Sequence, residues 1–230
     1  MRPNATKLAL LPLLAALLHA STAAQTQSAP PSASEPQPLT YGLVVDNSGS
    51  VRADIGRVID ASKVFVAGNA AEDETFVVRF VSGDNINVVQ DFTRDRAALS
   101  RALDDMYVEG GATAVIDALY VSAKHLSKRA SAPDASRRRA LVMLTDGEDR
   151  ESFYRAEQLI QLLREQKIRV FVLGFPEGVK RRPGGKKGYE KAVALLKRLA
   201  RETGGQAVLV ESMAESQTAA GELVKHLRKD

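Results

Sequence analysis

Residues 41–50 read YGLVVDNSGS and residues 140–149 read ALVMLTDGED, two stretches built alike: a short apolar run, then an aspartate inside a turn of small polar residues. A nearly continuous apolar run of this length is what a strand covered on both faces requires, because neither side of it meets water. Runs of the same kind recur at Phe76–Val81 (FVVRFV), Arg169–Leu173 (RVFVL) and Gln206–Val210, with a weaker one at Asn87–Gln90. Between them the apolar spacing changes to the helical period. Ile55, Val58, Ile59, Ser62, Phe65 and Val66 share one stripe, and Val115, Ala118, Leu119, Ser122 and Leu126 share another. Further stripes fall at Leu159, Leu162 and Leu163, at Ala192, Leu195, Leu196 and Leu199, and at Ala220, Leu223, Val224 and Leu227.

Strands alternating with helices predict right-handed parallel crossovers, hence a doubly wound, mostly parallel six-stranded sheet with helices on both faces. One connection departs from this. Only Ser82–Ile86 separates the second and third strands, too short for a parallel crossover, so the third strand is expected to be antiparallel and at an edge. Gly204-Gly205 supplies a helix stop before the last strand.

The flanking composition is different. Residues 1–24 carry Arg2 and Lys7, then the apolar run Leu8–Leu18, then Ser21, Thr22, Ala23 and Ala24, the pattern of a secretory signal peptide cleaved near Ala23 or Ala24. Residues 25–38 (QTQSAPPSASEPQP) hold almost nothing to bury and read as an extended linker, leaving residues 39–230 as the folded domain. The expected destination is the periplasm or the exterior, with no transmembrane segment in the mature chain. The 230 residues contain no cysteine, which excludes disulfides, thiolate metal sites and a lipid-modified cysteine.

Hydrophobic residues make up 44% of the chain, enough for a full core. The formal net charge is +4, and taking away Arg2 and Lys7 leaves +2, so bulk electrostatics select no partner. Basic residues cluster at Arg137–Arg139 and along Lys180–Lys187 (KRRPGGKK), and both clusters read as solvated loops. Aromatics are 5% of the chain, with no Trp, and none interleaves the basic runs. A stacking platform for single-stranded nucleic acid therefore has no support, and no specific nucleic acid is expected as partner.

In an open α/β sheet, ligands bind outside the carboxyl ends of the strands, where connections diverge to opposite faces. Three segments should converge there. The first strand ends in Asp46-Asn47-Ser48-Gly49-Ser50, the fourth in Thr145-Asp146-Gly147-Glu148-Asp149, and Gly110-Gly111-Ala112-Thr113 leads into the helix that starts near Val115. Asp46, Ser48, Ser50, Thr113 and Asp146 supply two carboxylates and three hydroxyls, an all-oxygen shell suited to Mg²⁺, Mn²⁺ or Ca²⁺ and unsuited to zinc or copper. Beyond the expected signal peptide only His125 and His226 remain, both within helical stripes, which argues against a histidine-held zinc.

In this order and on these elements, the D-x-S-x-S turn, the G-G-x-T-x-x-x-D-A loop and the T-D-G turn resemble the metal-ion-dependent adhesion site of von Willebrand factor A-type domains. The resemblance spans roughly Leu39–Asp230 and includes the final helix and strand around LLKRLARETGG (195–205). It implies that Ser48 and Ser50, with Thr113 in the ligand-engaged form, touch the metal directly, that Asp46 and Asp146 do so directly or through water, and that a partner's Asp or Glu carboxylate completes the shell. Asp117 is expected to support the Thr113 loop by hydrogen bonds. The function so implied is a cation-dependent protein-binding or adhesion module, not an enzyme.

Two alternatives stand beside it. A metal-dependent hydrolase would need a base, for which Glu148 and Asp149 are the nearest groups; the sequence offers no nearby histidine, nucleophile elbow or phosphate-binding glycine loop. A scaffold would instead use its basic loops to bind polyanions.

Overall fold

The computed structural model describes residues 37–129, 137–181 and 183–229. The expected signal peptide and all of the linker except Gln37 and Pro38 lie outside the described residues.

Six strands form one sheet: β1 (Leu39–Asp46), β2 (Glu74–Phe80), β3 (Ile86–Thr93), β4 (Arg138–Thr145), β5 (Ile168–Gly174) and β6 (Ala207–Leu209). Their order is β3-β2-β1-β4-β5-β6, with every pairing parallel except β2 with β3. The expected antiparallel edge strand is therefore present, joined to β2 by a tight turn in which Asn85 N–H donates to the Ser82 carbonyl at 3.0 Å. All eight residues of β1 are buried, whereas most of β3 is half-buried or exposed, as befits a central and an edge strand.

Helices α1 (Ile55–Ala67), α2 (Arg96–Asp104) and α7 (Ser216–Arg228) supply the core on one face of the sheet; α3 (Val115–Arg129), α4 (Ala156–Glu165) and α6 (Gly185–Thr203) supply it on the other. A four-residue helix, α5 (Glu177–Lys180), follows β5. The alternation of β1 shows how the layers divide. Leu43 and Val45 pack with Val58, Phe65 and Leu223, whereas Val44 packs with Phe76, Leu119 and Leu126.

All five helices expected from stripes are present; α2 was not among them. Only Leu99 and Leu103 anchor it, one turn apart in a nine-residue segment, which is too little periodic signal. Its start is nonetheless written locally: the Asp95 carboxylate accepts from Ala97 N–H (2.8 Å) and Ala98 N–H (3.2 Å), an N-cap.

The two basic clusters depart from the loop expectation. Arg138 and Arg139 open β4, and Lys180 closes α5 while Lys186 and Lys187 lie in the first turn of α6; Arg182 lies outside the described residues. Gly204 ends α6 in the left-handed region at φ 76°, the expected helix stop.

Candidate functional site

The register of the sheet builds the site. Val45 of β1 pairs with Leu144 of β4, so Asp46 and Thr145-Asp146 emerge side by side at the carboxyl edge. After β1 the chain makes one 3-10 turn, Gly49–Val51, before α1; this brings Ser48 and Ser50 to the same edge. Their hydroxyls lie 2.9 Å apart, and the Thr113 hydroxyl donates to Ser48 Oγ at 3.2 Å. Three hydroxyls from two distant segments thus form a contiguous row. Asp46, Ser48, Thr113 and Asp146 are buried and Ser50 is exposed. A cavity of about 490 Å³ opens over the row, lined by Gly49, Ser50, Gly111, Thr113, Glu148 and Arg150.

Asp46 is held by both oxygens. Oδ1 accepts from Ser48 N–H at 3.0 Å and Oδ2 from the Thr145 hydroxyl at 2.6 Å. Burial, and then the neighbouring Asp146 carboxylate, push its pKa from an ordinary 3.8 up to about 6, against the hydrogen bonds from Thr145 and Ser48. The Asp146 turn is fixed likewise: its Oδ1 accepts from Glu148 N–H at 3.0 Å, and Thr145 Oγ1 accepts from Gly147 N–H at 3.0 Å. Gly147 sits at φ 78° and passes so close to α6 that an added Cβ would come within 2.6 Å of Leu196 Cδ1. Glycine is required there.

The Thr113 loop is tied from two sides. Ala114 N–H donates to the Val81 carbonyl (3.1 Å), and Arg150 N–H donates to the Thr113 carbonyl (2.8 Å). Asp117 does a different job from the one expected: its carboxylate accepts from Phe153 N–H (2.8 Å) and Tyr154 N–H (2.9 Å), clamping the loop after β4 rather than the Thr113 loop itself. Asp149 and Ser152 reach back to the start of α3, where Ile116 N–H is shared between Asp149 Oδ1 (3.3 Å) and Ser152 Oγ (3.1 Å). Glu148 Oε2 pairs with Arg150 at 2.8 Å.

All five residues singled out from sequence therefore meet at one edge. Three supporting residues were missed. Thr145 was visible only as part of a turn motif, and its bond to Asp46 crosses ninety-nine positions of sequence. Ser152 carried no signal beyond its small polar type. Asn47 stitches β1 to the loop before Thr113, with Nδ2 donating to the Tyr107 carbonyl at 2.9 Å and its own carbonyl accepting from Glu109 N–H at 3.0 Å. Its Oδ1 is buried without a hydrogen-bond partner among the described residues.

The two histidines among the described residues are elsewhere: His125 bonds Asp91 Oδ1 at 2.9 Å and stacks on Phe92, and His226 lies in the last turn of α7. Among the described residues no group of three His, Cys, Asp or Glu side chains gathers to hold a metal, so any ion at this edge depends on the hydroxyls as well as the carboxylates.

A doubly wound α/β sheet with small oxygen-bearing side chains gathered at its carboxyl edge is a Rossmann-like architecture. The chain belongs to the von Willebrand factor type A domain family, whose description matches residues 42–222. Domains of this family are generally interaction modules rather than enzymes. No protein of curated function matches the sequence.

Solved structures share the fold. An aerotolerance-related membrane protein from Bacteroides fragilis is 22% identical with a TM-score of 0.61, over 81% of this chain and 98% of that one. The conserved hypothetical protein BatB from Bacteroides thetaiotaomicron is 20% identical with a TM-score of 0.61, over 83% and 100%. A von Willebrand factor type A protein from Catenulispora acidiphila is 23% identical with a TM-score of 0.60, over 82% of this chain but 42% of its own length.

Proposed function

We propose that this domain binds a protein partner through a divalent cation, Mg²⁺ or in its place Mn²⁺ or Ca²⁺, with a carboxylate of the partner completing the shell. Ser48, Ser50 and Thr113 hold the ion through their hydroxyls, and Asp46 and Asp146 do so directly or through water. The observation that carries this reading is the hydroxyl row, 2.9 and 3.2 Å between successive oxygens, beside two buried carboxylates that repel one another. A cation relieves that repulsion, and hydroxyl and carboxylate oxygens are the donors a hard ion takes. The unpartnered Asn47 Oδ1 adds an acceptor beside the same turn, costing about 1–3 kcal/mol until something donates to it.

With few charged ligands of its own, the bound ion supplies a strong attraction for an incoming carboxylate. The chain's residues do the rest: Thr145 and the Ser48 amide orient Asp46, and Arg150 and Glu148 line the mouth by which the partner enters. On this reading residues 1–24 export the domain to the periplasm or the exterior.

Calorimetric titration of the folded protein with Mg²⁺, Mn²⁺ and Ca²⁺ tests the metal. Uptake of one ion, lost in Asp146→Ala, is expected; no uptake of any of the three refutes the proposal. Affinity capture with and without EDTA tests the partner. A partner retained equally in EDTA removes the cation from the interaction.

A further inference from the structure

At the opposite edge of the sheet, where β4 and β5 begin, lies an open cleft of about 610 Å³. Its lining includes Arg137, Arg138, Arg139, Arg164, Lys167 and Arg169 against a single carboxylate, Glu202. Much of this charge has structural work. Arg138 and Arg169 donate to the carbonyls of Leu227 and Lys229 at the end of α7, and Arg164 to the Glu202 carbonyl and carboxylate near the end of α6. These bonds cap helices whose C-termini carry about half a negative charge each.

The capping role leaves charge over. Helix ends and Glu202 engage Arg138, Arg164 and Arg169, and Arg137 donates to the Thr40 hydroxyl and to the carbonyls of Leu39 and Glu72. Arg139 and Lys167 are the surplus: among the described residues neither side chain has a hydrogen-bonding or acidic partner. They are neighbours in the fold, because Arg139 is in register with Ile168 of β5, the residue after Lys167. Lys167 is also the one non-glycine among the described residues at positive φ, 52°. Gly or Asn would sit there with less strain, so the position can be changed to Asn without forcing the backbone.

We infer that this cleft is a second binding site, for a phosphate group bearing two or more negative charges, gripped by Arg139 and Lys167 with Arg164 at the rim. Guanidinium forks match phosphate oxygens two at a time, and a lysine adds a point charge at the mouth. The site is independent of the metal-dependent reading, since it shares no residue with that edge.

The phosphate has two possible sources, and the test separates them. The full chain in EDTA is titrated with inorganic pyrophosphate, and in parallel mixed with vesicles of phosphatidylcholine containing phosphatidic acid. Binding of either probe is expected, weakened at least tenfold in Arg139→Gln/Lys167→Asn and weakened by raising salt. Binding of pyrophosphate assigns a soluble ligand; binding of the vesicles alone assigns a lipid headgroup. Lys167→Asn by itself keeps a residue that tolerates positive φ, so its loss of binding with an unchanged melting temperature separates ligand contact from folding. Binding of neither probe, or equal binding by the wild type and the double variant, overturns the inference.

Discussion

The two ends of this sheet meet the same difficulty with opposite chemistry. At the carboxyl end, helices begin, and their first amide N–H groups need acceptors; at the amino end, helices finish, and their last carbonyls need donors. The protein answers the first with short acidic and hydroxyl side chains, such as Asp149 and Ser152 on α3, and the second with long guanidinium arms, such as Arg138 and Arg169 on α7. Short side chains leave a compact set of oxygens in place, buried at Asp46, Ser48, Thr113 and Asp146 and half-buried at Asp149 and Ser152. Long ones leave a half-exposed cationic cleft. A single rule about helix ends therefore gives the molecule one edge rich in carboxylate and hydroxyl oxygens and one rich in guanidinium groups, to which we assign a cation and an anion respectively.

If the two edges are separate in function, breaking one should spare the other. The largest effect is expected from Asp46→Ala or Asp146→Ala, which should weaken divalent-ion uptake at least a hundredfold by calorimetry while leaving pyrophosphate titration unchanged. Loss of both in either variant would show that the edges are coupled. Next, Mg²⁺ at a hundred times its dissociation constant should stabilise the wild type by about 2.7 kcal/mol, read as a rise of ~5–10 °C in melting temperature that EDTA reverses.

At the other edge, Arg138→Ala should cost about 1–3 kcal/mol by leaving carbonyls of α7 short of a donor, with metal affinity unaltered. Chemical denaturation in the presence and absence of Mg²⁺ measures both effects in one series.

The smallest effect is that of pH, which moves stability and metal affinity in opposite directions. Asp46 holds its proton up to about 6 in the folded chain and to near 3.8 when unfolded, so the metal-free fold binds more protons between those values. Its contribution to stability is fully present below 3.8 and is lost as pH rises through 6. Metal affinity should run the other way, falling by up to about tenfold per pH unit below 6, because the ligand must be ionised. Denaturation and metal titrations at pH 5 and pH 7 check the two signs. Equal metal affinity at both pH values would take Asp46 out of the shell.

Much of this was legible in the chain. The six strands and five of the helices follow from apolar period, because burial on one face or two leaves a local signature, and the antiparallel third strand follows from the shortness of the Ser82–Ile86 connection. That Asp46, Ser48, Ser50 and Asp146 gather at one edge was legible for a related reason: strand ends are visible, and a parallel sheet puts them side by side, with Thr113 brought there by the loop that leads into α3. Helix α2 was not, since Leu99 and Leu103 alone carry its packing. Nor was the role of Asp117, whose carboxylate binds a loop thirty-six positions away.

The sequence alone determined which segments alternate between sheet and helix and which oxygen-bearing turns lie at strand ends. It took the folded chain to bring Thr145 to Asp46, to set Asp117 against the loop after β4, and to make Arg138 and Arg139 the start of a strand rather than part of a loop. The physical reason is range. Periodicity is read by neighbours within a turn or two, whereas hydrogen bonds to a carboxylate and the charge balance of a cleft depend on which distant residues the sheet register sets side by side.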